Sequence, residues 1–431
     1  MSPRPAWRSL LANADSPAGL APLARALGFA EPAPLDAAAR QALGIPDDFL
    51  EVHVAEGRGA ARALLVVAPE RRGARDQVHR LAARLSARAP HLLWLACVAV
   101  PESRQVAIAA WSSERVPPRV AALLVEHDRV LASDIEALGA LVAAPPGNDL
   151  LRHARWLEVL GREAISRRFY AALERHVLAL ADAPSPPLRR VPPEGRREIA
   201  LLNVSRLLFL SFLETKGWLD GDRGFLARVF DECMRRGGGF HRRVLQPLFF
   251  GTLNTPPRKR AAAAQAFGRV PFLNGGLFQR SPVERTGRGL LFHDTGWASV
   301  YDDLLLRYRF TAREESADWS ETAIDPEMLG RAFESLMASR ERRDSGAYFT
   351  PFVLVERTTD AALETLLASH GLAGAHVERV LAGHAGDEES ALRLRGLLPR
   401  VRLLDPACGS GAFLIHALER FTLLWRAAGD S

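Results

Sequence analysis

The stretch Val401-Arg402-Leu403-Leu404-Asp405-Pro406-Ala407-Cys408-Gly409-Ser410-Gly411-Ala412-Phe413 reads as a short apolar strand ending on an acid, a loop of small residues, and the start of an amphipathic helix. Glycines there let a ligand approach the backbone closely, at the carboxyl end of a parallel strand, where open α/β sheets bind cofactors. The spacing is not the dinucleotide fingerprint G-x-G-x-x-G, because Gly409-Ser410-Gly411 runs on into Ala412 to Ile415. The Lys-Ser/Thr pair of a phosphate loop is missing too. A cofactor without a phosphate, held by a carboxylate and backbone groups, suits this loop better.

Upstream, Ser345-Gly346-Ala347-Tyr348-Phe349-Thr350-Pro351 ends on a helix start. Thr350 can cap a helix whose first residue is Pro351, leaving free N–H groups and a hydroxyl near a carboxylate ligand. Alone, that is a plain helix cap.

Together these segments resemble the gamma-ordered, S-adenosylmethionine-dependent DNA adenine N6-methyltransferases. Asp405 to Gly411 and Phe413 reproduce motif I of that family, D-P-A-C-G-S-G-x-F, and 346–351 resembles the G-x-Y-Y/F-T-P motif that precedes it. Three further segments are similar to parts of type IIG restriction-modification methylases: Val270 to Phe278, Asp325 to Glu334, and the helix Leu207 to Leu219. The resemblance spans roughly 150 to 431. It implies S-adenosyl-L-methionine as cofactor, with Asp405 at its amino end, Pro406, Ala407, Cys408, Gly409, Ser410 and Gly411 along its path, and Tyr348, Thr350, Pro351 and Phe413 completing the wall. It also implies double-stranded DNA as substrate. His416, one turn into the helix, is expected to pack rather than react.

The implied fold class is α/β plus mainly α. An N-terminal α/β domain is expected over 1–145 and a helical, DNA-facing connector over 146–345, with the first strand and helices of a Rossmann-like methyltransferase domain over 346–431. Within the first part, Phe49 to Val54 and Ala61 to Val67 flank the turn Glu56-Gly57-Arg58-Gly59 as a hairpin. Arg75 to Arg88 carries Val78, Leu81, Ala82 and Leu85 at helical spacing. His91 to Val100 and Arg104 to Trp111 form a second strand pair, and Pro145-Pro146-Gly147-Asn148 breaks the chain. Long helices are expected over Leu150 to Leu180 and Glu198 to Lys216, with Gly217 as a C-cap. Asp325-Pro326 starts a helix lined by Met328, Leu329, Phe333, Leu336 and Met337.

Composition sets limits. The 431 residues are 48% hydrophobic and 25% charged, which excludes dominant disorder, and every apolar run is too interrupted for a membrane span. The start MSPRPAWRSL lacks the compact apolar core of a secretory signal, and three scattered cysteines suit neither a disulfide framework nor a zinc site, so a reducing cytoplasm is expected. A net charge of +6 suits a DNA partner, although the dominance of arginine and alanine over lysine also fits a GC-rich genome.

Two patterns are decoys. Asn254-Thr255-Pro256-Pro257 imitates the family's catalytic (N/D)-P-P-(Y/F) loop, but it has an inserted threonine, Arg258 in place of the aromatic, and the wrong order relative to motif I. Glu214-Thr215-Lys216 imitates the E-x-K of a nuclease metal site but closes an apolar helix. Residues 1–145 contain no lysine, so the nuclease domain that opens many type IIG enzymes is expected here to be decayed or unrelated, binding DNA or protein. No catalytic residue and no metal ligand is assigned. Since no N-P-P-Y/F follows motif I, the chain is expected to be the N-terminal part of a split or truncated methylase, inactive alone and completed by a second polypeptide. The alternative expectation is a non-catalytic DNA-binding or specificity fragment with a vestigial methyltransferase start.

Overall fold

In the computed structural model, the described residues are 6–49, 51–69, 73–114, 117–143, 148–183, 188–273, 276–286, 292–311, 319–330, 350, 352–372, 377, 388–406, 408 and 411–429. They fall in two compact units, Met1–Leu336 and Met337–Ser431. The break expected at Pro145 to Gly147 lies outside them, as do Phe333, Leu336 and Met337.

Apolar runs that alternate toward two faces build the sheet of the first unit. Its strands lie in the order β1 (Ala33–Pro34), β2 (Glu51–Glu56), β3 (Ala61–Val67), β4 (Leu93–Val100), β5 (Gln105–Ser112), β6 (Arg119–Glu126) and β7 (Trp319–Glu321). The expected hairpin is β2–β3, antiparallel from Glu51 opposite Val67 to Glu56 opposite Arg62. Helices α1 (Trp7–Ala12), α2 (Pro17–Ala26) and α3 (Ala37–Leu43) precede β3, and α4 (Ala74–Arg88) supplies the crossover that the parallel pair β3–β4 requires. The second expected pair is β4–β5, and β6 extends it.

Successive side chains on a strand point to opposite faces. Leu64, Val66, Ala96, Val98, Ala107 and Ala109 therefore meet Val78, Leu81, Ala82 and Leu85 of α4. Ala63, Leu65, Leu95, Cys97, Val106 and Ile108 meet α1, α2 and two further helices, α5 (Ala132–Val142) and α6 (Asp149–Leu160). Burial on both faces explains why β3 and β4 read as continuous apolar runs rather than as alternating ones.

The helix expected over Leu150 to Leu180 is broken at Gly161 into α6 and α7 (Arg162–Asp182). The break has a tertiary cause. Thr322 Oγ1 donates to the Leu160 carbonyl at 2.7 Å, and Ser320 Oγ accepts from the Arg162 N–H at 3.0 Å, so the β7 segment satisfies both new helix ends. Asp325 Oδ1 accepts from the Met328 N–H at 2.7 Å and caps the helical turn 326–330 as expected. The Arg162 guanidinium lies against both Asp325 and Glu327, all three buried.

Helix α8 (Pro193–Thr215) runs through the second core, with its own Phe212 and, around it, Phe169, Leu173, Phe249, Phe278, Trp297 and Met328. Its end is a Schellman motif: the Gly217 N–H donates to Glu214 O and the Trp218 N–H to Leu213 O, both at 2.9 Å, with Gly217 at φ +70°. After α9 (Phe225–Arg235), the segments His241–Leu245 and Pro247–Leu253 are π-helical. The wider turn accommodates Pro247, whose ring would collide with the carbonyl four residues back in an α-helix. Short helices α10 (Ala262–Gln265), α11 (Pro282–Thr286) and α12 (Asp294–Val300) complete the unit.

The second unit holds α13 (Phe352–Ser369), α14 (Glu388–Leu397) and α15 (Ala412–Ala427), packed through Leu363, Leu367, Leu394, Leu397 and Leu424. The strand expected at Val401 to Leu404 is not formed. Val401 is extended, but every strand among the described residues belongs to the sheet of the first unit. A strand without a ladder partner leaves its backbone groups to solvent, and Leu403 and Leu404 are 50% and 87% exposed.

Candidate functional site

Asp405, partly exposed, ends the extended segment; exposed Pro406 and Cys408 follow it. The Gly411 N–H donates to the Cys408 carbonyl at 2.6 Å, closing a tight turn. Gly411 sits at φ +83°, a backbone conformation that side-chain-bearing residues rarely adopt, and its own carbonyl accepts the Ile415 N–H at 2.8 Å. A Cβ placed on it would meet nothing within 4 Å, so the space above this turn is open. Helix α15 begins one residue later, which directs its unsatisfied N–H groups to that turn. Phe413 is partly buried in the first turn of α15. Thr350 is partly exposed and stands two residues before Phe352, where α13 starts. Tyr348, Pro351, Ala407, Gly409 and Ser410 lie outside the described residues.

The two helices that follow these motifs are clasped by a polar cluster. Arg420 of α15 donates to Asp360 of α13 from Nε at 2.7 Å and from Nη2 at 2.6 Å, a two-pronged pairing, and Nη2 also lies 3.4 Å from Glu356. Buried His416 places Nε2 3.2 Å from Asp360 Oδ1. Burial alone would push the Asp360 carboxyl up, yet hydrogen bonds from His416 and Arg420 hold it below its ordinary value. His416 thus packs, as expected, but also joins the clasp. Glu356 with Asp360, and His416 with Arg420, are four apart, so each pair shares one helix face. That spacing was the available signal, and reading the helices singly misses it.

Asp360→Asn is expected to destabilise the second unit by about 1–2 kcal/mol, because Arg420 loses its counter-charge and one of its two acceptor oxygens is replaced by a donating NH2 group. Faster amide exchange in α13 and α15 would report it, and unchanged exchange would contradict it. A carboxyl held low contributes fully at neutral pH and loses its contribution as acid protonates it, so the wild-type advantage should vanish in acid.

The decoys resolve structurally. Asn254 follows the π-helical segment, donating its N–H to Phe249 O at 3.1 Å, and Pro257–Lys259 forms a 3-10 turn with Arg258 exposed. Glu214 is buried in α8 and accepts the Leu226 N–H at 2.8 Å. Burial pushes its carboxyl up from 4.5 to about 7, against the opposing effect of that hydrogen bond. Between these values the folded chain holds a proton that the unfolded chain has released. Rising pH therefore costs stability, up to about 3 kcal/mol above neutrality. Glu214→Gln should be more stable than the parent in denaturant at about pH 8 and equal to it at about pH 4. A pH-independent difference would contradict this.

Leu65, Val66 and Ala68 at the end of β3 are buried, and the Glu70 to Arg72 segment that follows lies outside the described residues. No group of three or more His, Cys, Asp or Glu able to hold a metal ion occurs among the described residues. None of their helices is long and apolar enough to cross a membrane.

The chain is similar to a protein of Methanocaldococcus jannaschii that carries the provisional name of a type II restriction enzyme and methyltransferase. The two are 27% identical over 246 residues, 52% of this chain and 20% of that protein. This chain therefore corresponds to about a fifth of its relative's length. No family model matches the chain, and no solved structure does.

Proposed function

We propose that the chain carries the cofactor-binding segment of an S-adenosylmethionine-dependent DNA adenine N6-methyltransferase of a restriction-modification or phage-defence system. The observation that carries the reading is the Cys408–Gly411 turn, with open space over Gly411, Asp405 beside it and the start of α15 beneath it. These features fit an amino-acid-bearing nucleoside. A carboxylate suits its ammonium, the helix N-terminus suits its carboxylate, and a glycine without a side chain leaves room for its body. The similarity to the archaeal relative supports the choice of a methyl donor over other nucleosides.

When bound, S-adenosylmethionine supplies a methyl group on a sulfonium. Asp405 would accept hydrogen bonds from the cofactor's amino end, with Pro406, Cys408 and Gly411 along its path and Thr350 and Phe413 beside it, while the Asp360 clasp holds the two motif-bearing helices together. The resemblance would add Tyr348, Pro351, Ala407, Gly409 and Ser410, which lie outside the described residues. A duplex adenine must leave the stack to reach such a site. The N-P-P-Y/F loop that would orient its amino group is not among these 431 residues. We therefore read these residues as the part that holds the cofactor, not the part that holds the base. Leu354, Leu392, Leu403, Leu404, Ile415 and Leu418 of the second unit are exposed. Residues 1–145 and 146–345 are read as a nuclease-like layout without nuclease chemistry and a DNA-facing connector.

Ultraviolet cross-linking of methyl-labelled S-adenosylmethionine should place label on peptides from 346–431, with no methyladenine formed in added DNA. Label elsewhere, or none, would overturn the cofactor assignment. Methyladenine made by these 431 residues would overturn the reading that they hold the cofactor and not the base.

A further inference from the structure

The Schellman turn that ends α8 turns Trp218 outward. Of eight tryptophans it is the exposed one, at 56%; six others are buried and Trp425 is partly so. The residue after a C-cap glycine usually packs back on its helix, but Trp218 instead lines an open cleft of about 820 Å³ with Gly217, Gly221, Gly268, Val270 and Pro271. The opposite side of the cleft is fixed. Asp220 Oδ1 accepts the Arg269 N–H at 2.9 Å and the Asp220 N–H donates to Arg269 O at 3.0 Å. Buried Arg260 ties down the carbonyls of Thr255, Val270 and Pro271.

The charge around this cleft is one-sided. Arg269 lines it, exposed Arg258 and Lys259 follow Pro257 of its wall, and Lys216 precedes Gly217. Lys216 and Lys259 are the chain's two lysines. Among the described residues no carboxylate forms a salt bridge with any of these four cations; Asp220 is held by the Arg269 backbone, and Asp222 pairs with Arg228.

We propose that this cleft binds single-stranded DNA, with an unpaired base stacked on Trp218 and the flanking phosphates on Arg258, Lys259 and Arg269. An aromatic face accepts any base, and a ring of cations tracks the backbone. The choice of DNA as the polyanion rests on the proposed function; the cleft itself does not. In that setting it holds strand that base extrusion or fraying has unpaired.

The test is fluorescence anisotropy of the full chain with a labelled oligothymidylate and with a hairpin duplex, at low and at physiological salt. The wild type should bind the single strand in preference to the duplex, with binding that weakens steeply with salt. Trp218→Ala should weaken it about tenfold and Trp218→Phe should restore most of it. Arg258→Gln with Lys259→Gln and Arg269→Gln should flatten the salt dependence. Equal binding by wild type and Trp218→Ala, or no binding at low salt, would overturn the proposal. S-adenosylmethionine binding, measured on the same samples, should be unchanged in Trp218→Ala. Loss of the DNA result with cofactor binding intact removes this site and leaves the proposed function standing. Absent cofactor binding with a Trp218-dependent DNA result does the reverse.

Discussion

Arg206→Met is expected to destabilise the Met1–Leu336 unit by about 3–5 kcal/mol. Arg206 is fully buried in α8. Its Nη1 meets Glu284 Oε1 at 2.7 Å and its Nη2 meets Oε2 at 3.1 Å, while Nε and Nη2 donate to the carbonyls of Leu277 and Gln279, each at 2.7 Å. The guanidinium also lies over the rings of Phe249 and Phe250. Removing it leaves two carbonyls without their donor and a buried carboxylate without its counter-charge, although Asn203 and the Ser281 N–H still donate to it; that cost far exceeds the pair's net contribution, because ion-pair formation itself roughly balances desolvation. Burial would raise the Glu284 carboxyl, but Arg206 holds it below its ordinary value, so Arg206→Met should also make unfolding more pH-sensitive near neutrality. Adding Glu284→Leu should recover part of the loss. Denaturant titration of the three proteins measures this; a single mutant within about 0.5 kcal/mol of wild type would refute the account.

Asp405→Ala is expected to weaken S-adenosylmethionine binding at least tenfold, since a hydrogen bond between charged partners contributes about 1.5–3 kcal/mol. Asp405 is not among the residues of the leucine core that packs α13, α14 and α15, and circular dichroism and thermal midpoint measured beside binding separate a cofactor contact from a folding effect. Lost binding with intact folding identifies a contact to the cofactor. Equilibrium dialysis separates the outcomes, and undiminished affinity would remove Asp405 from the site.

What the sequence disclosed was local. Val78, Leu81, Ala82 and Leu85 recur at helical spacing and form the buried face of α4, and Glu56 to Gly59 mark the β2–β3 turn. Gly217 marks the end of α8. What it concealed depended on distant partners. β7 is three residues long and exists because β6 accepts it in parallel, and Ser320 and Thr322 on that segment create the Gly161 break. The family-like segments at 270–278 and 325–334 could be assigned a structural part from sequence, but not the reason for it. The first presents the Leu277 carbonyl to Arg206, and the second brings Asp325 and Glu327 to Arg162. Val401 to Leu404 shows the opposite failure, since a strong apolar pattern specifies a strand only where another strand lies beside it. At the candidate site, the Gly411 turn was legible from its glycines, while Asp360 and Arg420 emerged only when two helices were paired.

A calorimetric titration of the 431-residue chain with S-adenosylmethionine asks directly whether the turn before α15 belongs to a site for that cofactor. Saturable binding should appear, displaced by S-adenosylhomocysteine and unaffected by NAD or ATP. Absence of saturable binding at millimolar S-adenosylmethionine, or displacement by either phosphate-bearing nucleotide, would contradict the claim.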